Sequence, residues 1–160
     1  MPNNLEQEIG ELLRRKKLTL GAVESATGGL ISHLITNIAG SSDYYLGSVT
    51  AYGNGTKLKL AGVKAATISK YGAVSAQVAE EMAQGGRKAL GVDICISDTG
   101  IAGPGGATAN KPVGLFYIGL SHSIKTESRK HIFKGDREQN KLAAAEAALI
   151  WLKEYLMGLG

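Results

Sequence analysis

The chain is poor in cysteine, proline and aromatic residues. Its 160 residues include one cysteine, three prolines, one tryptophan and two phenylalanines. A lone Cys95 excludes an internal disulfide and suits a reducing cytoplasm, the expected location. The three histidines, His33, His122 and His131, stand far apart without ligand spacing, and no Cys/His/Asp cluster accompanies them. A protein-bound metal is therefore not expected, no other cofactor is implied, and no histidine is marked as the base of a Ser-His-Asp triad. No run approaches the roughly 18 apolar residues of a membrane span, and the N-terminus has no signal-peptide pattern. The net charge is only +4, and the one basic run, Arg14-Arg15-Lys16-Lys17, falls where a helix should end and complements its dipole. With no basic stripe interleaved with aromatics, neither nucleic acid nor a membrane is an expected partner.

What the chain has in excess is glycine, 22 residues clustered in loops rather than repeating. With 44% apolar and 20% charged residues, the composition is that of a soluble globular protein, and the length fits one domain over residues 1–160. Leu5, Ile9, Leu12 and Leu13 predict an opening amphipathic helix, and Leu18 to Val23 a first strand. Thr27 is placed to cap a second helix starting at Gly28-Gly29-Leu30 and stopped by Gly40. Tyr44 to Tyr52 reads as a strand and Gly53-Asn54-Gly55 as a turn, with Thr56 capping a short helix through Leu60. Ser75 caps a longer helix in which Gly85 and Gly86 suit close packing against a neighbour. Asp93 to Ile96 is a buried strand, Val113 to Ser121 and Ile124 to Phe133 are paired strands, and Asp136-Arg137-Glu138-Gln139 is a capping box. Leu142, Leu149, Leu152 and Leu156 form the core stripe of the last helix. Helices alternating with strands, then two consecutive strands, predict a three-layer α/β/α sandwich with a mixed sheet.

Two stretches carry candidate chemistry. Ser97-Asp98-Thr99-Gly100-Ile101-Ala102-Gly103-Pro104-Gly105-Gly106 follows a strand and concentrates glycine. Such a loop either makes tight turns or aims several N–H groups at one anion. It is neither a Walker A loop nor a dinucleotide fingerprint. In Glu24-Ser25-Ala26-Thr27-Gly28-Gly29, Ser25 and Thr27 read equally as helix caps or, for Ser25, as a nucleophile beside free N–H groups. Lys57 is either a solvated surface lysine or, if desolvated, a base for a serine.

Val23 to Gly29, Ala39-Gly40-Ser41-Ser42, Tyr52-Gly53-Asn54-Gly55-Thr56-Lys57, Tyr71 to Ser75, Thr99 to Gly106, Lys111-Pro112-Val113-Gly114 and Gly135-Asp136-Arg137 together resemble, in order, the motifs of the CinA C-terminal family. The resemblance covers nearly the whole chain. It implies an amidohydrolase of the nicotinamide mononucleotide deamidase type, in a stand-alone form without the N-terminal domain of longer members. It further implies Ser25 as nucleophile, Lys57 as general base, Tyr52 and Ser42 in the polar network, and a homodimer. Thr27, Gly28, Thr99, Gly100, Gly103, Gly105, Gly106 and Arg137 would hold the nucleotide. Ala26 stands where the family often has cysteine, Gly53 where it commonly has serine, and Asp98 is unexpected beside an anion loop. By strand alternation, Asp98 should point away from that loop. The competing readings are a non-enzymatic nucleotide-binding or competence-associated protein, and a hydrolase of another amide or phosphorylated metabolite.

Overall fold

In a computed structural model, which describes residues 4–159, a five-stranded mixed sheet lies between two layers of helices. The elements are α1 (Leu5–Lys16), β1 (Leu20–Glu24), α2 (Leu30–Thr36), β2 (Tyr45–Thr50), α3 (Asn54–Leu60) and α4 (Ala65–Tyr71). There follow α5 (Ala76–Leu90), β3 (Ile94–Gly100), β4 (Leu115–Ser121), β5 (Thr126–Ile132) and α6 (Arg137–Gly158). The strand order is β2-β1-β3-β4-β5. β1 runs parallel to both β2 and β3, and β4 and β5 complete the sheet antiparallel.

Alternation along the strands assigns the two faces. Ile94 and Ile96 join the core formed with Ile9 and Leu13 of α1, Ile31 and Ile35 of α2, and Leu149 and Leu152 of α6. Cys95 joins the opposite core, with Val78 and Met82 of α5 and Ala61 after α3. Each fully buried Leu or Ile contributes about 2 kcal/mol of burial free energy. Chain direction also selects one edge. β1 leads outward to β2, while β3, on its other side, leads to β4. The crevice above the carboxyl ends of β1 and β3 is thus the point at which a doubly wound sheet binds ligands.

Several local expectations need correction. Ser97 to Gly100 continue β3, so the glycine loop begins later than its sequence suggests. α3 starts at Asn54, with Gly53 rather than Thr56 at its cap. α4 was not anticipated, since it contributes no fully buried residue and so shows no strong apolar stripe. Leu142 is 42% exposed. In this part of α6, Ala144, Ala145 and Ala148 face the core instead, and small side chains let the helix lie close to the sheet.

Gly85 and Gly86 find their close neighbours within the chain. Gly85 packs on the Ala61 carbonyl, and a Cβ at Gly86 would meet Val23 and come within 2.8 Å of Cys95 Sγ. Gly86→Ala therefore trades its gain in helix propensity for overpacking. It should destabilise the protein by about 1–3 kcal/mol, read as a lowered urea midpoint with an unchanged slope.

Candidate functional site

The turn after β1 is built on two buried carboxyls. Glu24, the last residue of β1, is fully buried. Its Oε1 accepts from Thr27 Oγ1 (2.6 Å), Gly29 N–H (3.2 Å) and Ile31 N–H (2.8 Å). Its Oε2 accepts from the Ser32 amide (3.0 Å) and hydroxyl (2.6 Å). A strand carboxylate thus satisfies the first turn of α2, where the N-cap Gly29 (φ 111°) supplies no side chain. The expectation that Thr27 caps this helix fails for that reason.

Asp98 enters from β3, also fully buried, and accepts from Ser25 N–H (3.0 Å) and Thr27 N–H (3.1 Å). It does face away from Thr99, as alternation requires, but its carboxyl fills the nest that Ser25 and Thr27 offer. Gly28 N–H donates to Ser25 O. Of the amides from Ser25 to Gly29, only that of Ala26 donates to no acceptor among the described residues. The free N–H groups expected around Ser25 therefore reduce to one.

The Ser25 hydroxyl donates to and accepts from none of the described residues, although Ser25 is only 6% exposed. Across the crevice stands Lys57, 2% exposed, in the second turn of α3. Its Nζ donates to the Tyr52 carbonyl at 2.9 Å. Burial lowers the Lys57 pKa from the ordinary 10.5, while the Asp98 charge pulls it back up. Arg137 is not among the groups that shift Lys57. Its guanidinium donates to the Gly103 carbonyl (2.8 Å) and to the Tyr52 hydroxyl (3.1 Å).

Tyr52 therefore supports Lys57 through its backbone, while the residue as a whole is 59% exposed. Tyr52→Phe removes only an exposed hydrogen bond to Arg137. It should lower turnover less than about tenfold, by the roughly 1 kcal/mol of such a bond. Steady-state kinetics beside the Lys57 variants would check this, and a loss as large as theirs would refute it.

The glycine loop closes the third side. Thr99 Oγ1 donates to the Ala73 carbonyl (2.8 Å), and Asn140 Nδ2 of α6 donates to the Ala102 carbonyl (3.0 Å). Ile101 is tied both ways to the start of β4, through Leu115 O and Gly114 N–H. The amides of Ala102, Gly103, Gly105 and Gly106 donate to none of the described residues, so they stay available to an anion. Gly103 (φ 89°) also needs its glycine, because a Cβ there would lie 2.5 Å from Val113 Cγ1.

Ser25, Tyr52, Lys57, Thr99, Gly100, Gly103, Gly105, Gly106 and Arg137 together line a pocket of about 270 Å³ with Asn54, Ala73 and Val74. Three expected site residues are not brought there. Thr27 is buried beneath the turn, and Gly28 lies outside the lining, facing the Lys141 amine. Ser42 is exposed in a 3-10 turn before β2. Because Leu20 pairs with Tyr45 and Glu24 with Thr50, Ser42 sits at the opposite end of the sheet from Ser25.

Glu24, Asp98, Ala73 and Asn140 were missed as parts of the site. A Glu directly before Ser25 was visible, but nothing local shows that its side chain turns onto a later helix. The Ala73 contact runs through backbone and leaves no side-chain signature. A larger open groove, about 1400 Å³ along α1 and the end of α6, holds no Ser, Thr, Cys or His to act as nucleophile or base. Among the described residues no group of three or more His, Cys, Asp or Glu is placed to hold a metal, and no helix is long and apolar enough to cross a membrane.

Residues 2–156 match the model of the CinA C-terminal domain. The chain is 50% identical over 145 residues to a CinA-like protein of Salinibacter ruber, covering 91% of this chain and 35% of that one. It is 47% identical over 156 residues to a CinA-like protein of Chloroherpeton thalassium, covering 95% and 37%. The chain thus spans little more than a third of the length of these relatives. Among solved structures, a competence damage-inducible protein from Klebsiella pneumoniae superposes with a TM-score of 0.94 at 29% identity, over 98% of this chain and 97% of that one. A competence/damage inducible protein from Agrobacterium tumefaciens gives 0.87 at 34% identity, over 95% of each chain.

Proposed function

This chain belongs to the CinA C-terminal domain family, and on that premise we propose that it is an amidohydrolase that converts nicotinamide mononucleotide to nicotinate mononucleotide and ammonia. One observation carries the reading. An unpartnered Ser25 hydroxyl and a buried Lys57 amine, its pKa lowered by that burial, line the same pocket as four unpaired glycine-loop amides. A serine beside a desolvated lysine is a nucleophile–base pair, and unpaired amides suit a phosphate or an oxyanion.

In the proposed reaction Ser25 Oγ attacks the carboxamide carbon, and its proton passes to neutral Lys57 Nζ. The free Ala26 N–H is the donor placed beside the developing oxyanion. As the C–N bond breaks, the Lys57 ammonium returns its proton to the departing nitrogen, which leaves as ammonia. Water then attacks the Ser25 ester. Its proton passes to Lys57 Nζ and on to Ser25 Oγ, releasing the carboxylate. The loop from Thr99 to Gly106 and Arg137 hold the nucleotide, with the Arg137 fork suited to its phosphate. The resemblance also implies a homodimer acting in the cytoplasm, and both belong to the proposal; light scattering at micromolar concentration tests the dimer.

Incubation with nicotinamide mononucleotide should release equal amounts of ammonia and nicotinate mononucleotide. Absence of both would favour a nucleotide-binding protein without turnover. The base must be neutral, so kcat/KM should fall as the pH drops through the Lys57 pKa. Because burial lowers that pKa, the acid limb should lie below 10.5. A limb at or above the free-lysine value would remove Lys57 from the role.

A further inference from the structure

Glu24, Thr27 and Asp98 form a buried cluster beneath the Ser25 turn, none more than 1% exposed. Thr27 Oγ1 lies 2.6 Å from Glu24 Oε1 and 2.5 Å from Asp98 Oδ1. A hydroxyl has one hydrogen to donate. Two short contacts from one hydroxyl to two carboxyl oxygens need a second hydrogen, and only a carboxyl can bring it. Two ionised carboxylates buried in one site also repel, which favours one of them keeping a proton.

The other donors decide which. Besides Thr27, Glu24 accepts from the amides of Gly29, Ile31 and Ser32 and from the Ser32 hydroxyl, a set that holds it ionised. Asp98 accepts otherwise from only the Ser25 and Thr27 amides. We propose, building on the Ser25–Lys57 reading, that Asp98 is a positioning residue that keeps its proton well above the ordinary carboxylate range, donates it to Thr27 Oγ1 and holds the nucleophile's turn as an uncharged acid.

Burial pushes the Asp98 carboxyl up to about 6, with the Thr27 hydroxyl and the Ser25 and Thr27 amides opposing the rise. The charged groups that bear on it are Glu24 of β1 and Lys57 of α3. Tyr45 of β2 hydrogen-bonds to Ser32 and lies close enough for the Glu24 charge to raise its pKa. α6 brings Lys141 toward Gly28 and ties Asn140 to Ala102, α2 has no acidic residue in its first turn, and the β4 register partner is Ile118. An uncharged Asp98 leaves Lys57 without the neighbour that would hold it as an ammonium, so it can act as a base at lower pH.

The carboxyl can be read without turnover. The chain has four aspartates, and Asp43, Asp93 and Asp136 are exposed. In protein labelled with carbon-13 at the aspartate carboxyls, one resonance should titrate at about 6 or higher and vanish in Asp98→Asn. All four titrating below about 6, or a high resonance that survives the substitution, would overturn the proposal. The exposed trio makes the outlier identifiable in the unaltered protein, even where Asp98→Asn does not fold.

Kinetics with nicotinamide mononucleotide give the positioning readout. Asn can still donate to Thr27 Oγ1 and accept Thr27 N–H, whereas leucine can do neither. Asp98→Leu should lose on the order of a hundredfold in kcat with little change in KM, and Asp98→Asn about tenfold less than that, with the acid limb unmoved. A limb displaced to lower pH in Asp98→Asn would show that Asp98 works ionised. A high-titrating aspartate in a protein that releases no ammonia would sink the amidohydrolase reading alone, while turnover with four ordinary aspartates would sink only this one.

Discussion

Ser25→Ala should lower turnover of nicotinamide mononucleotide at least about a thousandfold, and Lys57→Ala should do about the same, with the double substitution little worse than either. The two side chains share one proton transfer, so removing either stops the same step. Ser25 has no structural hydrogen bond to lose, and its amide contact with Asp98 survives in alanine. The fold should therefore be unchanged and the loss confined to chemistry. Lys57 gives up one bond, to the Tyr52 carbonyl, and alanine leaves a space where its buried stem lay. Lys57→Met, which fills that space without a base, separates packing from catalysis. Nucleotide affinity, measured calorimetrically, should survive Ser25→Ala, because the Thr99 to Gly106 loop and Arg137 are held by Ala73, Leu115 and Tyr52. Near-normal kcat in Ser25→Ala would end the serine mechanism. Ser42 would not replace it, being exposed at the far end of the sheet.

The largest stability effect is expected at Glu24. Glu24→Ala leaves the amides of Gly29, Ile31 and Ser32 without their acceptor at a partly buried helix start, with Ile31 the most buried. Each orphaned donor costs about 1–3 kcal/mol where water cannot reach it. Allowing for partial rehydration of the loosened turn, the total should be about 3–5 kcal/mol, a large share of a typical domain's stability. Melting should fall by roughly 10 °C or more. Amide exchange should accelerate first at Ile31 and Ser32. Glu24→Gln keeps one acceptor oxygen and should lose about half as much. A melting temperature for Glu24→Ala within a degree or two of the parent would mean that α2 does not depend on this carboxylate.

Much of the scaffold could be read from the chain because its signals are local. The Ile9 and Leu13 spacing, the Ser75 cap and the Asp136–Gln139 box each act within a turn or two, and all three appear as expected. Helix ends next to buried charge were not legible in this way. Thr27 has the residue type and position of a cap, yet Glu24 takes the helix and Thr27 turns inward. The Gly85–Gly86 pair announced a close approach without its partner, which proved to be Ala61, Val23 and Cys95 of the same chain.

By itself the sequence determined the alternation of helix and strand, the mixed sheet and the stretches that hold Ser25, Lys57 and the glycine loop, because residue type and short-range periodicity decide these. Only the tertiary structure decided which groups meet. Parallel pairing of β1 with β3 brings Asp98 to the Ser25 turn across 73 residues, and α3 lays Lys57 over the same crevice. The same pairing between β1 and β2 sends Ser42 to the opposite end of the sheet. Whether a lysine is a solvated cation or a buried base, and whether an aspartate repels an anion or props a nucleophile, depends on burial and on donors from distant segments. Those are properties of packing, and no local pattern of side chains encodes them.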